Sequence, residues 1–259
     1  MRSYQLVIVA AALCACAPKE VPVVAAKGEC AEFNKAQACT WVHTQGTAVI
    51  DAGATIPIAS IENAPKEGSM AWPPVSNATA QMPAGTQAQT GFTEMTTFWE
   101  AMGHPPGPYL TPHFDFHFYL VPAAEVAAMD CKDVSKPATL PQGFELPDVT
   151  LPPPMQKATG VPALIGLCVP QMGMHAMLGD ELKSTALFNG TMVIGYYKGK
   201  PVFIEPMLSK TMLMEKKSFD LAIPTIPGLA GPYPRKFRAV YDSTANAYNF
   251  TFSAFAAGK

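Results

Sequence analysis

The run Pro112-His-Phe-Asp-Phe-His-Phe-Tyr119 constrains this chain more than any other stretch. His113, Asp115 and His117 fall on one parity and Phe114, Phe116 and Phe118 on the other, which is the two-residue period of a β-strand. A strand written this way has an aromatic face that needs a core and an imidazole–carboxylate face that can bind. Three of the five histidines lie between His104 and Tyr119.

The first residues read as a targeting segment. Arg2 is the positive end, Leu6 to Ala12 are apolar, and Leu13-Cys14-Ala15-Cys16 ends the segment on a cysteine. The Leu-x-Ala-Cys ending resembles the lipobox of bacterial lipoproteins, which implies cleavage before Cys16 and a lipid anchor on that residue. The apolar run is well short of the ~20 residues that a membrane-spanning helix needs. Residues 1–16 are thus expected to be a lipoprotein signal peptide, 17–29 a tether and 30–259 one β-rich domain in the extracytoplasmic bacterial envelope. An ordinary secretory signal is the alternative, and it leads out of the cytoplasm as well.

An oxidising compartment gives Cys30, Cys39, Cys131 and Cys168 a structural reading as disulfides. Four cysteines allow three pairings. Cys30 with Cys39 and Cys131 with Cys168 is favoured, because the second bond closes a long excursion and restricts the unfolded chain. No Cys-x-x-Cys spacing supports a thiolate zinc site. A net charge of −2 with no Lys/Arg-rich run offers nothing to nucleic acid, and the one membrane contact expected is the lipid itself.

Elsewhere the sequence reads mostly as strand and loop. Thr47–Ile61 is β-branched and broken by Gly53 and Pro57, a pattern for a hairpin or two short strands, and 63–90 reads as loop with an edge strand. Met95, Phe98, Trp99 and Met102 stand at helical spacing, so 93–102 is expected to be a short helix that delivers His104. Pro122–Met129 reads as a second helix opened by proline. Seven prolines between residues 132 and 162 point to a long ordered loop, either a wall or lid for the site or a wrap over a sheet edge. Strands are expected at 164–169, 192–197, 201–205, 237–241 and 248–252. No G-x-G-x-x-G, phosphate loop or G-x-S-x-G elbow is present, so nucleotide-binding and Ser-His-Asp hydrolase folds have no support.

Two later segments bring further ligand types out of apolar surroundings, Pro170-Gln-Met-Gly-Met-His175 and Phe203-Ile-Glu205-Pro-Met207. Histidine and carboxylate side chains from neighbouring strands are how zinc, iron or manganese is held on β scaffolds. A strand rises about 3.3 Å per residue, so His113 and His117 stand roughly 13 Å apart at Cα and cannot easily share one tetrahedral ion. The favoured ligands are Asp115, His117, His175 and Glu205 around a divalent metal, with zinc the first choice. His113 and Asp115 are the candidate catalytic pair, His113 as orienter or base, and His104 is an outer ligand or mouth residue. The competing reading is a buried hydrogen-bonded network without chemistry. Met172, Met174 and Met177 around His175 allow a copper reading, but methionine is more often core fill.

Taken in order, Gly103-His-Pro-Pro, Pro112-His-Phe-Asp-Phe-His-Phe-Tyr119, Val169-Pro-Gln-Met-Gly-Met-His175, Phe203-Ile-Glu-Pro-Met207 and Tyr233-Pro…Tyr241-Asp resemble an uncharacterised family of secreted bacterial proteins known only as a domain of unknown function. The resemblance covers roughly 47–255 and implies that His104, His113, Asp115, His117, His175 and Glu205 are family-motif positions. It brings no reaction. The family pattern often follows its fourth histidine with Trp and a nearby Asp, whereas here Ala176 and Met177 follow and Asp180 lies further on.

The expectation is therefore a mainly β barrel or sandwich with a few short helices, lipid-anchored outside the cytoplasm. The leading function is metal binding, with metal-dependent catalysis on a small molecule as its sharper form. The alternative is a non-catalytic envelope module that binds a partner or its own copies. Whether the chain is an enzyme, and its oligomeric number, have no marker in the sequence.

Overall fold

A computed structural model describes residues 21–68 and 73–258. The targeting segment, Cys16 and the first part of the tether lie outside those residues. The chain opens with three long antiparallel strands, β1 (Val23–Phe33), β2 (Ala36–Gln45) and β3 (Ala48–Pro57). Next come β4 (Asn77–Gln81), β5 (Glu94–Glu100) and β6 (His113–Tyr119), then the two-residue strands β7 (Phe144–Glu145), β8 (Val149–Thr150) and β9 (Ala163–Leu164). β10 (Met174–Leu178), β11 (Gly190–Tyr197) and β12 (Lys200–Ser209) follow. The chain ends with β13 (Phe219–Ala222), β14 (Pro232–Tyr233), β15 (Lys236–Asp242), β16 (Ala247–Ser253) and β17 (Ala256–Ala257).

Two open sheets dominate. One has the order β1-β2-β3-β16-β15-β13 and the other β4-β5-β6-β12-β11-β10-β7. They form a sandwich-like pair, so the expected mainly β class holds, and neither sheet closes into a barrel. The Phe114, Phe116 and Phe118 face of β6 is what joins them. Phe116 meets Phe250 edge-on at 4.8 Å, Phe118 meets Phe252 at 4.6 Å and Phe33 meets Phe114 at 6.0 Å. Each such buried ring contributes roughly 1.5–3 kcal/mol by leaving water, so the aromatic parity of one strand accounts for much of the core between the sheets.

The opposite face of the seven-stranded sheet is covered too. Tyr109, Met129, Val149, Leu151, Leu167 and Val169 pack there against Phe98, Phe203 and Met207. Much of this cover is the proline-rich segment, held by a Cys131–Cys168 disulfide, while Cys30 and Cys39 are bonded across β1 and β2. Both favoured pairings are present.

Several expectations need correction. The strand expected at 164–169 is β9 followed by a 3₁₀ turn at Ile165–Leu167, and the hairpin or two short strands expected at 47–61 are the single strand β3 followed by a short helix at Ile58–Glu62. Residues 93–102 are not a helix, since β5 is a strand paired on both sides, with β4 and with β6. All seven of its residues are buried, so apolar side chains occupy both faces and the two-residue period disappears. The tether does not run to residue 29, because Val23–Lys27 pair with Gln45–Trp41. β1 is an edge strand exposed along most of its length, and backbone pairing without burial leaves no hydrophobic pattern to read. The proline-rich segment is not wholly loop either. Pro153–Thr159 forms a helix whose prolines stand at its first turn, where the missing N–H is tolerated, and Gly160 ends it in a left-handed conformation. Pro122–Met129 contains the expected helix at Ala123–Ala127, and 192–205 is the expected hairpin turning at Lys198 and Gly199.

Candidate metal centre

β6 presents His113, Asp115 and His117 on the outer face of the seven-stranded sheet, and its neighbours set what stands beside them. In register on β5, Glu100 lies opposite His113, Phe98 opposite Asp115 and Thr96 opposite His117. On the other side Phe203 lies opposite Tyr119 and Met207 opposite Asp115, which carries Glu205 to His117 in the middle of β12. One strand further, Gly195 lies opposite both Phe203 and His175. A Cβ on Gly195 would come within 2.1 Å of the Phe203 ring. Its absence lets that ring lie across β11, where His175 packs on it at 5.2 Å between centroids. His104 arrives from a loop whose Gly103 has φ +67° and whose missing Cβ would sit 2.1 Å from the Tyr109 carbonyl. The His104 amide donates to that same carbonyl.

The six side chains converge as two triads. Ligand atoms of His104, His113 and Asp115 lie within 4.8 Å of one another, and so do those of His117, His175 and Glu205. All six residues are buried. The expected grouping of Asp115 with His117, His175 and Glu205 is thus divided: Asp115 lies with His113 and His104, and His104 is buried with them rather than at a mouth. The separation along β6 has the predicted effect, with His113 and His117 in different triads.

Three imidazoles are held in one tautomer. Nδ1 of His104 faces the Pro105 carbonyl at 2.8 Å, Nδ1 of His113 the Thr111 carbonyl at 2.7 Å, and Nδ1 of His175 the Leu167 carbonyl at 2.9 Å. A carbonyl only accepts, so Nδ1 carries the proton and Nε2 carries the lone pair. That is how metal-binding histidines are commonly oriented.

Inward atoms of His113, Asp115, His117 and Glu205 stand without a hydrogen bond of acceptable geometry among the described residues. His113 Nε2 stands 3.3 Å from Asp115 Oδ1, and His117 Nε2 3.2 Å from Glu205 Oε2. None of these four atoms has a hydrogen bond of acceptable geometry, nor do His117 Nδ1 and Glu205 Oε1. Buried polar atoms are nearly always satisfied, so this concentration in one place is exceptional.

Burial also sets the charge state. It lowers His117 and His175 to about 3, His175 with a further push from His117, and it holds His113 well below its ordinary value and His104 below it. It raises Glu205 to about 8, and lifts Asp115 well above the carboxylate range with a further push from the charge of Glu205, which it faces. Neutral imidazoles carry a lone pair that can bind a cation, and carboxyl groups kept neutral by burial ionise when a cation arrives. Glu100, raised to about 9 by burial and then by Asp115, belongs to the same environment.

Glu100 is the residue that the sequence reading missed. Its signal was the register of β5 against β6, hidden by the helical reading of 93–102. A gap of about 10 Å³, room for about one water, is lined by Glu100, His104, Asp115, His175 and Met172 among others. Beside it, and sharing Glu100 and Pro74, lies a cavity of about 380 Å³ walled by Val75, Trp99, Met102, Leu110 and Met155. Met174 packs instead into the core between the sheets, which disperses the methionine cluster. His43 is far from the triads in the register, paired with Asp51 at 2.6 Å on the six-stranded sheet. Asp180 is exposed.

No family model matches the chain, and neither a curated protein nor a solved structure is significantly similar to it.

Proposed function

We propose that this is an extracytoplasmic metal-binding protein whose buried His/Asp/Glu cluster holds a divalent ion. The observation that carries the reading is the convergence of two buried triads of nitrogen and oxygen donors, in which inward atoms of His113 and His117 lack hydrogen bonds and the Nδ1 atoms of His113 and His175 face backbone carbonyls. A buried network that existed only to fix the fold would satisfy those atoms, because each one left bare costs about 1–3 kcal/mol. A cation satisfies several at once. The donors are nitrogen and oxygen with no thiolate, a set that suits zinc as well as iron or manganese.

The sharper form is a metal-dependent enzyme acting on a small molecule. Three protein ligands leave coordination positions open, the gap beside them has room for about one water, and the adjoining cavity is within the usual range for small ligands. Two disulfides agree with an oxidising compartment, and no described helix is long and apolar enough to cross a membrane. Lipid attachment at Cys16, with the membrane as partner through that lipid, and membership of the secreted family that shares the five motifs complete the proposal.

The test is the metal content of protein purified without chelator. A near-stoichiometric divalent metal is expected, lost in the Asp115→Ala, His117→Ala double variant. Folded wild-type protein that carries no metal and takes up none from added Zn²⁺ overturns the reading.

A further inference from the structure

We infer that the two triads form one dinuclear centre, holding two divalent ions side by side with the Asp115 and Glu205 carboxylates between them. This rests on the metal-binding reading above and adds to it a second ion and a shared ligand.

The donor set is duplicated, since each triad has two imidazoles and one carboxylate, all buried. One ion cannot collect all six. His113 and His117 are four residues apart on a single strand, about 13 Å at Cα, and each turns to its own set of partners. His113 and His104 stand with ring centroids 4.9 Å apart at one end, His117 and His175 with centroids 5.7 Å apart at the other. The triads nevertheless adjoin. Asp115 is the next same-face residue to His117 on β6, and its carboxyl interacts with that of Glu205. A carboxylate pair at that junction is what brings two ions to the roughly 3.5–4 Å spacing of two-metal sites.

The charges call for one more ligand. Two divalent cations bring four positive charges; the Asp115 and Glu205 carboxylates offset two, Glu100 at the same gap offsets a third when it ionises, and the neutral imidazoles none. A small oxygen anion shared by both ions reduces the remainder, and the structure has a place for it. The gap with room for about one water is lined by His104 and Asp115 from one triad and His175 from the other. Hydroxide fits there, as does one oxygen of a carboxylate or phosphoryl group reaching in from the larger cavity.

The protein, stripped with chelator and reloaded with Zn²⁺ in one series and Co²⁺ in another, is measured by native mass spectrometry and by electron paramagnetic resonance. Two Zn²⁺ per chain are expected, with Co²⁺ spins that couple to each other. His113→Ala and His175→Ala are each expected to retain one ion, and His43→Ala, which removes the histidine outside the cluster, two. One ion per wild-type chain overturns the dinuclear inference and leaves the metal-binding reading standing. No ion overturns both. Two ions whose Co²⁺ spins behave as isolated centres, or a count that falls to one in His43→Ala, also overturn the inference. If the two cluster variants fail to fold, the wild-type count and the spin coupling still decide.

Discussion

The two sheets bury their strands in different ways. In the six-stranded sheet one face packs on the core and the other meets solvent: along β15, exposed Lys236 and Arg238 alternate with buried Phe237 and Ala239, and β2 and β16 show the same rhythm. In the seven-stranded sheet β5 and β6 are buried at every residue, and β11 and β12 at all but the first. Its inner face meets the other sheet, and its outer face lies beneath the layer around the Cys131–Cys168 disulfide. The polar cluster sits on that second face. A buried sheet face away from the main core can hold six ionisable side chains without interrupting the contact between the sheets.

The largest expected effect tests whether the two faces of β6 are independent. Phe116→Ala removes a fully buried ring from between the sheets and should destabilise the protein by about 3–5 kcal/mol in denaturant unfolding. Metal content per folded molecule should not change. A parallel loss of metal would mean that the aromatic face positions the ligands, and the division between the faces would fail. Next come the disulfides. The bond spanning 37 residues should contribute about 4 kcal/mol and the one spanning 9 about 3 kcal/mol by restricting the unfolded chain. Paired Cys→Ala variants measure both. A greater loss from Cys30 and Cys39 would show that the covering layer stays in place without its staple.

The same contrast explains what could be read from the sequence. β15, β16 and the hairpin of β11 and β12 were legible, because alternation or an apolar run flanked by turn residues marks them. β6 was legible because its two faces differ chemically even though both are buried. β5 was not, since Met95, Phe98, Trp99 and Met102 fit a helix as well as a strand buried on both sides. With β5 misread, the place of Glu100 beside His113 was hidden. The six ligand-type residues were all visible as types in proline- and glycine-bounded contexts. Their division into two triads was not, because it depends on the register of β12 against β6 and on the bare surface that Gly195 leaves for Phe203 and His175. β1 was invisible for the opposite reason, an exposed edge strand held by backbone pairing.

A smaller effect, of opposite sign, separates a metal centre from a structural network. The Glu205 carboxyl is fully buried, with the Asp115 carboxyl and His117 Nε2 as its polar neighbours. Glu205→Met keeps the approximate volume and removes the polar group, so chelator-stripped protein should gain about 1–3 kcal/mol on denaturant unfolding. The rise in melting temperature on adding Zn²⁺ should vanish in the same variant. A loss of stability in the stripped variant would instead show that Glu205 makes net favourable bonds in the metal-free fold, and the outer face would then resemble the inner one in being built for stability.

The smallest effect compares one chemical change in the two sheets. Ile204 on β12 is fully buried and packs in the core between the sheets, whereas Ile50 on β3 is 36% exposed. Ile→Val deletes one methylene at each site. At residue 204 the deletion leaves space that neighbours on both adjacent strands, Phe118 and Ile194 in register, cannot fully close, so a loss of about 0.5–1.5 kcal/mol is expected. At residue 50 solvent takes the place of the methylene and the change should stay within about 0.5 kcal/mol. Equal losses at the two positions would mean that the solvent face of the six-stranded sheet is covered in solution, for instance by another copy of the chain. That outcome would break the comparison between the sheets, and the dependence of Ile50→Val stability on protein concentration would show whether a second copy is the cover.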